Sequence, residues 1–272
     1  MTVNLNTDLQ ALNMQRGLDK AEKTLARSMR RLSSGARINS ASDDAAGTAI
    51  AQQLSEALRG LNKSMGNVQD GYNLLSTADE GLGEAESAIQ RMRELAVQAA
   101  GGTSTDEDRA ALQAEIEVNI DQLDSIASGT RFNGQPLLDD AATEVEIQVG
   151  SQPTESMIFS PGSVTAEDLG LAGIDVSTQA GAAEAVARLD AALESLSVQR
   201  STIGAAQNRV ESTVNSIGVT MENVLAAQSR IMDADVAREM MNVTKGKILE
   251  QVSISTLAQG NMTAQQVLSL LG

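Results

Sequence analysis

The sequence predicts a mainly α protein: a long antiparallel helical coiled-coil rod with a small β-hairpin cap, and terminal helices that form a separate unit. Two uninterrupted seven-residue rails of apolar residues predict the rod. A short run that alternates with period two, surrounded by every proline in the chain, predicts the cap. Amphipathic stripes at both ends, with little charge between them, predict the terminal unit.

The first rail is Leu54, Leu61, Val68, Leu75, Leu82, Ile89 and Ala96. Its companions are Leu58, Met65 and Tyr72, after which that register turns polar as Asp79, Glu86 and Arg93. Ala78, Ala85, Met92 and Ala99 then take over on the other side. One helix over 48–100 thus keeps a continuous seam while its second contact side changes, as a change of neighbour would require. At ~1.5 Å per residue it would span about 80 Å. Gly101-Gly102 marks its C-terminal stop.

The second rail is Leu189, Leu196, Ile203, Val210, Ile217, Val224 and Ile231, with Val186, Leu193, Val214 and Met221 beside it. Arg200, Gln207 and Gln228 interrupt that companion row and should fix register more than add stability. A helix over 183–231 follows, equal in length to the first and packed against it. Between them, Ser104 and Glu107 suggest a capping box. Leu112, Ile116, Ile120, Leu123 and Ala127 then form one face of a shorter helix over 105–128, packed back on the first.

The region 130–180 changes period. Val145, Ile147 and Val149 alternate with Glu144, Glu146 and Gln148, a half-buried strand whose hairpin partner is Met157-Ile158-Phe159. Pro136, Pro153 and Pro161 all lie here, where none interrupts a helix.

The ends carry stripes of their own: Leu5, Leu9, Leu12, Leu18, Leu25 and Leu32, then Val236, Met240, Val243, Ile248, Val252, Val267, Leu268, Leu270 and Leu271. Each end has only the other as an obvious partner within the chain, and a two-helix unit leaves much apolar surface uncovered. Gly246 and Gly260 should weaken the second helix. The ends are therefore expected to be poorly ordered in the monomer and to become helical on assembly. The chain reads as 1–44, an N-terminal helix and joint; 45–231, the rod; and 232–272, a C-terminal helix that pairs with 1–44.

Composition limits the chemistry. No Cys and no His are present, so disulfides, thiolate sites and the commonest metal ligand and general base are missing. No phosphate-binding glycine pattern follows a strand. The expectation is not an enzyme, with no catalytic residues, cofactor or metal. Asp43-Asp44, the one pair that could suggest a metal, follows Ser40 and Ser42 at a helix start and reads as capping. A net charge of −16 argues against nucleic acid and anionic membranes as partners. The charge is uneven. Residues 1–44 hold seven basic and five acidic residues, residues 232–272 three and four, leaving −17 in the middle. Charge-balanced ends suit packing, and an acidic middle suits water. No apolar run reaches the ~20 residues of a membrane span, and the N-terminus lacks the layout of a signal peptide.

Several stretches resemble bacterial flagellin closely. LSSGARINSASDDAAGTAIA, from Leu32, is similar to the family's N-terminal signature, as is RMRELAVQAA at Arg91 to Ala100. RFNGQPLL matches its FNG turn, EIQVG its hairpin strand, and the run from SRIMDADVAREMMNVTKGKILEQ to VLSLLG its C-terminal signature. The likeness covers essentially the whole chain, in the family's order. Gly17 stands where Asn is more usual and Gly260 where Ala is, which would loosen the inner helices. The resemblance implies a secreted, self-assembling structural subunit of the extracellular flagellar filament for swimming motility. It would be exported unfolded, without a cleaved signal peptide, and would have terminal helices as an inner layer and the long helices as an outer wall. Only a short segment, 162–183, stands where many flagellins insert further domains. Implied partners are other flagellin subunits, an export chaperone and the export apparatus, hook-associated and cap proteins, and the animal Toll-like flagellin receptor. The receptor patch would be Gln90, Arg91, Leu95 and Glu115, residues that equally suit contact between subunits. The joint Ser33, Ser34, Gly35, Asp43 and Asp44 reads as a spoke, with Met232 to Asp235 as the corresponding C-terminal crossing. A hook–filament junction protein of the same architecture and a generic coiled-coil adaptor are the alternatives. The first would show weaker motif matches, and the second would not explain the joint.

Overall fold

The computed structural model describes residues 9–150, 154–160 and 162–271. In chain order the elements are α1 (Leu9–Ser34), α2 (Ala45–Ala100), α3 (Asp106–Gly129), β1 (Arg131–Phe132), β2 (Gln135–Pro136), β3 (Val145–Gln148), β4 (Ser156–Phe159), α4 (Gln179–Met232) and α5 (Val236–Leu271). They form two compact units. One comprises 1–58 and 222–272, the other 59–221, so α2 and α4 each contribute to both. None of the helices is long and apolar enough, over the described residues, to cross a membrane.

The second unit is built on the two rails. Val68, Leu75, Leu82 and Ile89 of α2 face Leu189, Leu196 and Val210 of α4 within a core from which all seven are fully withdrawn from water. Burial of each large aliphatic side chain contributes about 1.5–3 kcal/mol, so heptad spacing alone places most of the driving force here. Where the companion row of α2 turns polar, its charges find partners on α4. Arg200 donates to Asp79 at 3.1 Å and to Glu86 at 2.6 Å, and Arg93 pairs with Asp190. Higher numbers on α4 thus meet lower numbers on α2, which fixes an antiparallel register. Tyr72, expected on the seam, is instead 41% exposed. At that level the neighbouring face of α2 turns to the hairpin: a Cβ on Gly71 would lie 2.5 Å from Ile147 Cδ1.

The start of α3 differs from its sequence reading by one residue. Thr105, not Ser104, is the N-cap; its hydroxyl accepts from the Asp108 N–H, and the Asp108 carboxylate accepts from the Thr105 N–H. Ser104 caps backwards, donating to the Gln98 carbonyl. The end of α2 is held by a residue that periodicity could not single out. The buried Arg109 donates to the carbonyls of Ala99 at 2.9 Å and Gly101 at 3.1 Å, while Gln179 donates to that of Ala100. Carbonyls with no intrahelical partner are thereby satisfied out of water.

Asn133 and Gly134, with φ of 50° and 82°, make the tight turn between antiparallel β1 and β2. β3 and β4 pair Val145 with Phe159 and Ile147 with Met157. Ile147, Met157 and Phe159 face inward, whereas Ile158 points out. The segment 162–178 is not a free loop. Val164, Leu171, Ile174 and Val176 are buried, and Gln113 of α3 bonds the backbone of both Ile174 and Val176.

Candidate functional site

Within the first unit, α1 and α5 pack on each other over their length. On α1 the inward row is Met14, Leu18, Ala21, Leu25, Ser28 and Leu32, buried or half-buried at alternating spacings of four and three. On α5 it is Glu239, Val243, Gly246, Glu250, Ser253, Leu257 and Gly260. Both are heptad seams, but that of α5 is small and polar. Of the α5 stripe residues whose side chains are described, only Val243 faces α1. Val236, Met240, Ile248 and Val252 are each more than half exposed, joined by Met241, Leu249 and Ile254. The expected pairing of stripe to stripe is thus corrected to a different register of α5. Met240, Met241, Thr244, Lys245, Ile248 and Leu249 line an open groove on this outward side.

Two features explain the register. Gly246 sits where a Cβ would lie 3.2 Å from that of Leu25, so the glycine that weakens helix propensity lets the two backbones approach. Glu239, buried beside Arg31 at 3.2 Å, also accepts from Asn242 and Ser28. Burial pushes its carboxyl up, but these hydrogen bonds and the Arg31 charge outweigh that and hold its pKa below the usual value. The ends, expected to become helical on assembly, are helices paired on each other over Leu9–Ser34 and Val236–Leu271. Leu12 is 45% exposed, and Leu18, Leu25 and Leu32 are half-buried. Leu5 lies outside the described residues. Of Leu9, Val267, Leu268, Leu270 and Leu271, only the helical backbone is described.

The joint 33–44 and the crossing 232–235 come together. Ala36 and Asp233 form an antiparallel bridge, with Arg37 N–H donating to Met232 O at 2.6 Å and Ala234 N–H to Gly35 O at 2.8 Å. Gly35, at φ +70°, turns the chain out of α1, and the Ser34 hydroxyl accepts from the Ala36 N–H. Ser33 is exposed and makes no part of this network. The two aspartates divide the work. Asp43 accepts from the backbone of Asn39 and Ser40, which lowers its pKa. Asp44 caps α2 through the Gly47 N–H at 2.9 Å. Asp235 caps α5 in the same way through Arg238. Capping chemistry therefore accounts for the paired carboxylates.

The patch on α2 and α3 is only partly a surface. Arg91 joins Glu94 at 3.1 Å and Glu115 at 2.8 Å, and Gln90 bonds Glu86, all exposed. Leu95 is 2% exposed and belongs to the core. No group of three or more metal-ligating side chains occurs among the described residues.

Residues 5–143 match the family model of the bacterial flagellin N-terminal helical region, and residues 186–271 that of the C-terminal helical region. The chain is 40% identical over 269 residues to a flagellin of Halalkalibacterium halodurans, covering 98% of this chain and 99% of that one. It is 36% identical over 286 residues to the flagellar filament 30.7 kDa core protein of Treponema maltophilum, over the full length of both. Among solved structures it is similar to the crystal structure of Bacillus cereus flagellin, with a TM-score of 0.51 and 30% identity over 56% of this chain and 88% of that one. The hook–filament junction alternative is not better supported than the filament one. With two heptad-paired long helices, a small hairpin cap and a short 144–185 link where the two family models leave a gap, the chain belongs to the bacterial flagellins and is a structural subunit of the flagellar filament, in a short form without the variable outer domain.

Proposed function

We propose that the outward apolar rows of α1 and α5 are the surface on which copies of this chain polymerise, with 1–44 and 232–272 forming the inner tube of the filament and 45–231 its outer wall. One observation carries this reading: Val236, Met240, Ile248 and Val252 are exposed in the single chain, while the small and polar row of the same helix that starts at Glu239 is buried or half-buried. Apolar rows of this extent stay in water only until a partner covers them. The hydrogen-bonded crossing of Gly35–Arg37 with Met232–Ala234 supports a spoke that passes both chain segments through the wall at one level.

The same faces would need masking before assembly, which fits an export chaperone and passage of the unfolded chain through the flagellar export apparatus. Hook-associated and cap proteins would meet the ends of the extracellular polymer. Gln90, Arg91 and Glu115 are the exposed part of the patch that would meet a neighbouring subunit, or the Toll-like flagellin receptor.

Purified subunit added to filament fragments tests the surface. Replacing Met240, Ile248 and Val252 together with Ser should abolish seeded elongation while helicity and the melting of the free subunit stay unchanged. Elongation at the parental rate would place the polymerisation surface elsewhere.

A further inference from the structure

We infer that Met240 and Met241 form an oxidation-sensitive site that decides whether a free subunit can join the polymer. The inference rests on the polymerisation surface proposed above. The two thioethers are adjacent on α5, 53% and 66% exposed, and both line the groove completed by Thr244, Lys245, Ile248 and Leu249. Lys245 is the groove's single charged side chain, so the thioethers and the two aliphatic residues give it its apolar character. By contrast, Met92 is fully buried and Met157 nearly so.

A peroxide reaching the free subunit transfers one oxygen to the thioether sulfur. The sulfur is oxidised to the sulfoxide, the O–O bond breaks, and hydrogen peroxide leaves as water. The product places a strong hydrogen-bond acceptor among the apolar side chains of Ile248 and Leu249, where water and the exposed head of Lys245 solvate it in the free subunit. Burying that group against a second copy then opposes assembly. Folding of the subunit is untouched, because neither side chain contributes to the α1–α5 seam. In the polymer the same sulfurs would be covered, so the site responds before incorporation and not after. Sulfoxide reductases reverse the reaction.

The test treats free subunit and preformed filaments with the same dose of hydrogen peroxide and maps each methionine by peptide mass spectrometry. In the free subunit, Met240 and Met241 should oxidise well ahead of Met92 and Met157. In filaments they should stay reduced. Seeded elongation of oxidised subunit should fall about tenfold or more and recover after treatment with both sulfoxide reductases. Met240→Leu with Met241→Leu, apolar and close in volume, should elongate after peroxide at the same rate as the same variant left untreated. Equal peroxide sensitivity in that double variant would overturn the assignment, since Met29 or Met262 would then carry the effect. Undiminished elongation of oxidised subunit would also overturn it. Failure of untreated subunit to elongate would instead overturn the polymerisation surface, and this inference with it.

Discussion

The long-helix rails and the α1–α5 seam of this chain bury different mixtures of residue. Unit 59–221 withdraws Leu75, Leu82, Ile89, Leu189 and Leu196 completely from water and, Arg109 apart, keeps its charges at or near the surface. In the other unit, the α1–α5 seam closes over Ala21, Ser28, Glu239 and Val243, while Met240, Ile248 and Val252 stay outside. The first is a finished core. In the second, α1 and α5 are held in register largely by small and polar contacts, and the apolar side chains of Met240, Ile248 and Val252 are exposed.

The largest break in that comparison should come from Leu82→Ala. It removes a fully buried side chain and should lower unfolding stability by about 2–5 kcal/mol in chemical denaturation. Ile248→Ala, at a site 58% exposed, should change the same measurement by less than about 0.5 kcal/mol and act on polymerisation instead. Parallel losses at both sites would mean that the units do not differ as described. Next in size is Arg109→Ala, which removes the guanidinium donor from the Ala99 carbonyl and leaves that of Gly101 with the Ser104 N–H alone. A loss of about 1–3 kcal/mol is expected, with hydrogen exchange accelerated in the last turn of α2.

Glu239 sharpens the comparison through pH. Its folded pKa lies below the 4.5 of a free glutamate, so the stabilisation from its ionised form is complete above that pH and is lost as pH falls through the folded value. Helicity of the free subunit should therefore become acid-sensitive at the α1–α5 pair, and Glu239→Gln should remove that dependence while lowering stability near neutrality. An identical acid profile in parent and variant would mean that other carboxylates set it. The smallest effect belongs to Arg200→Met. Its pairs with Asp79 and Glu86 are partly solvated and about 0–1 kcal/mol is at stake, although the register of α2 on α4 should become less unique. Disulfide trapping of shifted registers by introduced cysteine pairs would measure that.

Legibility in the sequence followed how local the cause was. Leu61 to Ala96 and Leu189 to Ile217 were readable because a large apolar residue every seventh position has one good solution in water. The Asn133-Gly134 turn is equally local, and so is the capping by Asp44. The α3 cap was misread by one residue because Ser104 and Thr105 are both good caps with an acidic residue three on; only backbone geometry chooses between them. Arg109 was passed over because its role depends on carbonyls that α3 brings near only after folding.

Sequence by itself determined the helices, their periods, the hairpin and the absence of cysteine and histidine chemistry, since each follows from residue type and spacing along the chain. Tertiary structure alone decided which face of α5 meets α1. The small and polar row of that helix keeps a heptad spacing, its apolar residues Val236, Met240, Ile248 and Val252 recur at four and eight, and hydrophobicity favours covering the apolar row without saying by what. Close approach at Gly246 and the Glu239–Arg31 pair commit the polar row to α1. That choice leaves Met240, Ile248 and Val252 facing outward, because a helix that turns one seam to its own chain must turn the other away.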